Sequence, residues 1–80
     1  MAGQRIAVLG MARTGAAAVR FLVSRGADVF ALDLRAEADW PDDSRAAGRL
    51  ARRIVAPYQS IDDLLPLDAL VISPGVPTEA

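Results

Sequence analysis

Four short apolar runs are the feature that most restricts the folds open to this chain. They cover residues 5–9, 28–33, 53–55 and 68–72, and segments of helical or polar pattern separate them. An uninterrupted apolar run is typical of a strand that is buried on both faces of a parallel sheet. Because strands alternate with helices and crossovers are right-handed, we expect a doubly wound, Rossmann-like α/β sheet with strand order 3-2-1-4.

The segments between the runs are predicted to form helices. From Thr14 onward, spacings of three and four place several residues on one helix face, and Gly26 is suited to end this helix. The residues on that face are Ala18, Phe21, Leu22 and Arg25. A short second helix is expected over residues 44–52. Residues 60–63 have the form of a capping box and predict a helix of one or two turns that Pro66 ends.

Length and composition bound the function. The 80 residues amount to at most one small domain, which we expect to span residues 1–80. The chain has no Cys, His or Lys, which excludes disulfides, zinc fingers, imidazole catalysis and lysine-dependent phosphate binding from this sequence. Its net charge is −1, which argues against a nucleic-acid surface. Without a membrane-length apolar run or a signal peptide, we expect a cytoplasmic protein with no membrane contact.

Three loops converge at the predicted crevice between the first and fourth strands. They are the first loop (residues 10–15), the second loop (residues 33–35) and the third loop (residues 73–75). In the first loop, Gly10 and Gly15 have the spacing of a G-x-G-x-x-G fingerprint, with Ala12 in place of the second glycine. Backbone N–H groups at the helix start can bind a phosphate. The same glycines can also serve a plain strand-to-helix turn.

The second and third loops each carry a candidate ligand contact. Asp33 ends the second strand, where an acid can accept hydrogen bonds from a ribose hydroxyl or a base N–H, although it can equally cap a turn. Arg35 can stack on a base or pair with a phosphate. In the third loop, Ser73, Pro74 and Gly75 can direct a hydroxyl or N–H groups toward a ligand oxygen, or form a simple turn.

Other polar and aromatic residues favour structural roles. The pairs Asp42/Asp43 and Asp62/Asp63 lie at predicted helix starts, where carboxylates satisfy free N–H groups, so we do not predict catalysis there. Trp40 is expected to cover one edge of the core.

The three loops together resemble the N-terminal domain of the Mur ligases of peptidoglycan synthesis, most closely those that add D-glutamate to UDP-N-acetylmuramoyl-L-alanine. The resemblance covers nearly the whole chain and is carried by residues 6–15, 33–35 and 72–76. Thr14 and Gly15 match a Thr-Gly or Ser-Gly pair of the family, and Asp33 and Arg35 match its Asp-x-Arg triplet. Ala12 departs from the family, which usually has glycine there.

The resemblance implies that this domain binds the UDP part of the sugar nucleotide. The implied UDP-binding residues are Arg13, Thr14, Gly15, Asp33, Leu34, Arg35, Ser73, Pro74 and Gly75, with the last three against the diphosphate. It also implies a separate central domain in which ATP and Mg²⁺ activate the substrate carboxylate for attack by D-glutamate. Because this chain has no P-loop and no lysine, we expect a fragment without catalytic residues, metal or cofactor of its own.

Two other functions share the predicted fold. An NAD(P)-binding domain of an oxidoreductase also has an acid after the second strand, although Ala12 and the third loop argue against it. A regulatory or interaction domain with an empty crevice is also possible, because a fold does not determine a function.

Overall fold

The computed structural model describes residues 2–73 of the chain. Its strands are β1 (Arg5–Leu9), β2 (Asp28–Leu32), β3 (Arg53–Val55) and β4 (Ala69–Ile72), and its helices are α1 (Arg13–Ser24) and α2 (Asp42–Gly48). Short 3-10 turns occur at Glu37–Asp39 and Asp62–Leu64. The strands form one parallel sheet in the order β3-β2-β1-β4, which confirms the predicted fold class and strand order. The extent of the domain over residues 1–80 stays a prediction.

The register of the sheet brings the ends of its central strands level. Leu9 at the end of β1 lies opposite Leu32 on one side and Ile72 on the other. The next residue of each strand therefore leaves the sheet at the same edge. Two backbone hydrogen bonds continue the pairing into the loops: the N–H of Gly10 donates to the carbonyl of Leu32 at 2.8 Å, and that of Ser73 donates to Leu9 at 2.9 Å. This edge is where the sequence predicts a ligand crevice.

Each face of the sheet has its own apolar cluster. On one face, α1 and α2 cover the sheet, and the buried residues there are Ile6, Val8, Met11, Ala16, Val19, Leu22, Val29, Ala31, Trp40 and Ala47. On the other face, Ala7, Phe30 and Leu32 pack against Leu64 of the second 3-10 turn. The predicted position of Trp40 over the core is confirmed, since its side chain belongs to the first cluster. Strand β4 stays exposed along its length.

The predicted buried face of the first helix is wrong, because the observed buried face is rotated from it by about one residue position. The side of α1 that packs inward consists of Gly15, Ala16, Val19 and Leu22. Phe21 is 50% exposed, and the guanidinium of Arg25 lies over its ring, 5.1 Å from the centroid. The close approach of Gly15 to the turn before α1 sets the rotation of the helix, and this approach places small residues rather than Phe21 against the sheet.

The shorter elements differ from prediction in extent and capping. Helix α2 runs from Asp42 to Gly48 instead of over residues 44–52, so it starts two residues earlier than expected and ends four residues earlier. The acids after Pro41 do lie at a helix start, as predicted. The hydroxyl of Ser60 accepts a hydrogen bond from the N–H of Asp62 at 3.1 Å, which makes a tight turn instead of a capping box. Only a 3-10 turn follows. Within residues 2–73, no helix has the length and apolarity needed to cross a bilayer.

The paired aspartates at the start of α2 bind arginines rather than helix amides. Neither side chain caps the helix, because the extended backbone of Pro41 occupies the capping position. Asp43 instead forms an ion pair of 2.8 Å with Arg20 of α1, and Asp42 pairs with Arg45 one turn along α2. The predicted location of these acids is therefore confirmed, whereas their predicted partners are wrong.

Candidate functional site

The first loop is a tight turn between β1 and α1 that requires both of its glycines. Gly10 has a φ of 100°, a left-handed conformation that favours glycine. A Cβ at Gly15 would overlap the backbone carbonyl of Gly10 and would lie 3.7 Å from the Cβ of Ser73. Helix α1 can approach the end of β1 this closely only because residue 15 has no side chain. The turn geometry thus explains both glycines before any ligand is considered.

Ala12 occupies the capping position of α1, and its backbone conformation does not require glycine. Its φ of −79° and ψ of −167° are extended values open to any residue, and its side chain makes no capping hydrogen bond. The first turn of α1 contains no acidic residue. The first N–H groups of a helix have no partner inside the helix, so this end keeps donors and a positive dipole that suit an anion.

Asp33 joins the first and second loops through a carboxylate that is almost buried. One of its oxygens, Oδ2, accepts a hydrogen bond from the N–H of Met11 at 2.7 Å. The other oxygen, Oδ1, accepts from the N–H of Arg35, also at 2.7 Å. The residue as a whole is 5% exposed. Its predicted location at the crevice is observed, and the turn-capping role that the sequence left open is the one its contacts show.

The ionisation of Asp33 is decided by two opposed effects. Burial disfavours the charged form, but hydrogen bonds from the Arg35 side chain and from the N–H groups of Met11 and Arg35 outweigh it. The pKa of Asp33 is therefore lowered from its usual value. The same ion pair raises the pKa of Arg35. A carboxylate that stays ionised can hold both loops at neutral pH.

The side chains next to Asp33 face solvent. Leu34 is exposed, and the guanidinium of Arg35 is about half exposed and reaches Asp33 through longer contacts of 3.2 and 3.3 Å. These two contacts are longer than the 2.7 Å amide bonds, so the Arg35 side chain is held more loosely than its backbone. Arg13 and Thr14, at the start of α1, are also exposed.

Ser73 enters the site from the end of β4 and brings an unused hydroxyl. It is 2% exposed, and its Oγ has no hydrogen-bond partner within the described part of the chain. A buried hydroxyl without a partner costs free energy, so such a group is a candidate for a ligand contact. Pro74 and Gly75, the other predicted residues of the third loop, lie outside the described residues.

A shallow depression adjoins the first loop. Its volume is about 240 Å³, and it is lined by Ala12, Arg13, Pro41, Asp43 and Ser44. Pro41, Asp43 and Ser44 are not among the site residues predicted from the sequence. The start of a helix at Pro41 was visible in the sequence, but its position beside α1 results from helix packing and from the Arg20–Asp43 ion pair.

Comparison with known proteins assigns the chain to a family. Residues 4–80 match the model described as "Mur ligase MurD-like, N-terminal domain". The chain belongs to the MurD-like N-terminal domain family. The family resemblance predicted from the three loops is thereby confirmed.

Among relatives of this MurD-like domain, UDP-N-acetylmuramoylalanine–D-glutamate ligase of Geobacter metallireducens is 40% identical over the whole chain. The protein of the same name in Sphingopyxis alaskensis is 46% identical over 95% of the chain. The MurD-like domain spans only 18% and 16% of the lengths of these two relatives. No solved structure is a significant match.

Proposed function

We propose that this domain binds the uridine diphosphate part of UDP-N-acetylmuramoyl-L-alanine for a ligase that adds D-glutamate. The relatives carry the name of that ligase. The observation that carries the proposal is the meeting of the first loop, the second loop and Ser73 at one edge of the sheet. Oδ2 of Asp33 accepts a hydrogen bond from the N–H of Met11 at 2.7 Å, and a Cβ added at Gly15 would lie 3.7 Å from the Cβ of Ser73.

The proposed contacts divide between the two ends of the nucleotide. The residues proposed to contact uracil and ribose are Arg13, Thr14, Asp33, Leu34 and Arg35. All of them except Asp33 have side chains that face solvent at least in part. Gly15 permits the close turn that keeps the helix amides near the ligand. Ser73, Pro74 and Gly75 are assigned to the diphosphate. The Ser73 hydroxyl, which has no hydrogen-bond partner among residues 2–73, is the donor that supports this assignment.

Asp33 can contact the nucleoside only through its remaining acceptor capacity. Both of its oxygens accept short bonds from backbone N–H groups. A carboxylate has about four acceptor positions, and the other two are directed at the Arg35 guanidinium at 3.2 and 3.3 Å. We infer that a ribose hydroxyl or base N–H replaces one of these longer contacts, which frees the Arg35 side chain to lie against the base.

The chemistry of the proposed enzyme lies outside these residues. No residue of this chain is assigned a catalytic or metal-binding role. ATP and Mg²⁺ would be bound by a part of the enzyme beyond the 80 residues, because this sequence has no lysine and no P-loop. D-glutamate and ATP are the other proposed substrates, and the cytoplasm is the proposed compartment because it holds ATP. The family match does not favour the alternative of an NAD(P)-dependent oxidoreductase.

Titration of the chain with nucleotides tests the proposal. We expect UDP to shift the amide resonances of Met11, Thr14, Arg35 and Ser73 in ¹H–¹⁵N spectra, and to bind more tightly than NADP. Tighter binding of NADP, or no shift at millimolar UDP, would overturn the proposal.

The variant Ser73→Ala tests whether this residue contacts the diphosphate or the nucleoside. It removes only a hydroxyl that has no hydrogen-bond partner in the described part of the chain, so the fold should be retained or slightly stabilised. We expect UDP to bind about ten- to a hundredfold more weakly, as for the loss of one hydrogen bond to a charged group, and uridine to bind as before. Equal effects on UDP and uridine would contradict the assignment of Ser73 to the diphosphate.

A further inference from the structure

Trp40 is a buried core residue that also holds the backbone of the second loop. The side chain is 3% exposed and lies among the residues that α1 and α2 place over the sheet. Its indole Nε1–H donates a hydrogen bond of 3.2 Å to the carbonyl of Arg35. Gly48 leaves room for the ring, since a Cβ there would lie 2.9 Å from Cζ3 of Trp40.

The backbone of Arg35 is held from two sides. Its N–H donates to Oδ1 of Asp33, and its carbonyl accepts from Trp40. Between Arg35 and Trp40, the 3-10 turn Glu37–Asp39 closes the chain, and the N–H of Trp40 donates to Glu37 at 3.0 Å. The segment is therefore attached to the core by the indole ring as well as by the buried Asp33, while the Arg35 guanidinium stays about half exposed.

Trp40 also places one wall of the depression beside the first loop. Pro41 follows Trp40 directly and lines that depression together with Arg13. The rigid φ of proline and the buried ring next to it leave this wall little freedom. The contacts of Trp40 thus reach two groups that border the proposed nucleotide site: the Arg35 backbone and Pro41.

We propose that Trp40 is a positioning residue for nucleotide binding, acting through the Arg35 carbonyl. This inference rests on the proposed function. A purely structural tryptophan needs only to fill its cavity, and its N–H can find any acceptor. Here the acceptor is the backbone carbonyl of Arg35, a residue that we propose contacts the nucleotide. The indole therefore fixes the position of the backbone from which the Arg35 side chain extends.

The variant Trp40→Phe tests this role because it keeps an aromatic ring in the core and removes the N–H donor. We expect hydrogen exchange of the Arg35 amide to become faster. We also expect UDP to bind about three- to tenfold more weakly, the effect of one hydrogen bond. The matched control is Val19→Ala, which removes packing from the same cluster on α1 without a hydrogen bond to the second loop. That variant should lose stability but bind UDP as the wild type does.

The possible outcomes distinguish a failure of the Trp40 role from a failure of the proposed function. Unchanged UDP affinity and unchanged Arg35 exchange in Trp40→Phe would overturn the positioning role and leave the proposed function standing. Equal weakening in Trp40→Phe and Val19→Ala would show an effect of general stability, and would also overturn the role. If the wild-type chain fails to bind millimolar UDP, the proposed function fails, and the role of Trp40 in nucleotide binding fails with it.

Discussion

Replacement of Asp33 by asparagine is the perturbation whose effect the structure defines most closely. The two oxygens of Asp33 each accept a backbone N–H, one from Met11 and one from Arg35, at 2.7 Å. Asparagine has nearly the same shape, but one of its two terminal atoms is an NH₂ donor. Whichever way the amide group turns, a donor then faces a donor, and one of the two short hydrogen bonds is lost.

The magnitude follows from the burial and the charge of the site. A hydrogen bond to a charged group contributes about 1.5–3 kcal/mol, and a buried donor left unpaired adds to the loss. We therefore expect Asp33→Asn to lower the free energy of unfolding by about 2–4 kcal/mol. A domain of this size has a total stability of about 4–12 kcal/mol, so the variant should lose a large share of it.

The effect should also depend on pH in a definite direction. The pKa of Asp33 is lowered in the folded chain. Its stabilisation is then fully present above the unfolded value of about 3.9, and it is lost as the pH falls through the lower folded value. We expect the stability difference between wild type and Asp33→Asn to be constant from about pH 7 to pH 5 and to shrink below about pH 4.

Urea unfolding followed by circular dichroism measures both effects. The matched control is Asp42→Asn, since Asp42 pairs with Arg45 at an almost fully exposed position. That variant should change the stability by less than about 1 kcal/mol. The reasoning is refuted if Asp33→Asn is as stable as the control, or if its deficit persists unchanged at low pH.

Four further substitutions test the packing and one surface ion pair. Gly15→Ala should lower the free energy of unfolding by at least about 2–3 kcal/mol, despite the better helix propensity of alanine, because its Cβ would overlap the Gly10 carbonyl. An unchanged urea midpoint would contradict that close approach. Val29→Ala should lower the free energy of unfolding by about 2–3 kcal/mol and Leu70→Ala by less than about 1 kcal/mol, because of these two side chains Val29 is fully buried and Leu70 is exposed. Equal losses of stability in thermal unfolding would contradict the exposure of β4. Arg20→Gln breaks an exposed ion pair, so its unfolding free energy should fall by less than about 1 kcal/mol at 0.15 M salt, and a larger loss would show a tighter junction between α1 and α2.

The type and order of the elements could be predicted from the sequence because they depend on local patterns. Apolar runs of strand length, glycines at the turns and right-handed crossovers led to the parallel sheet and its order. The bounds of β1 and β3 agree with prediction to the residue. The convergence of the first and second loops and Ser73 at one edge follows from that topology.

The contacts that shape the candidate site were decided by tertiary structure. Which face of α1 is buried depends on how closely Gly15 approaches Gly10. Sequence periodicity alone predicted a face that includes Phe21, whose side chain is exposed. One of the partners of the Asp33 carboxylate is the amide of Met11, which is 22 residues away in the chain. Hydrogen-bond partners and helix rotation depend on distances between segments that are remote in sequence, and no local pattern encodes those distances. The sequence by itself thus determined the elements, their order and the edge where we propose that the nucleotide binds. Packing decided which polar atoms of that edge are already hydrogen-bonded within the protein.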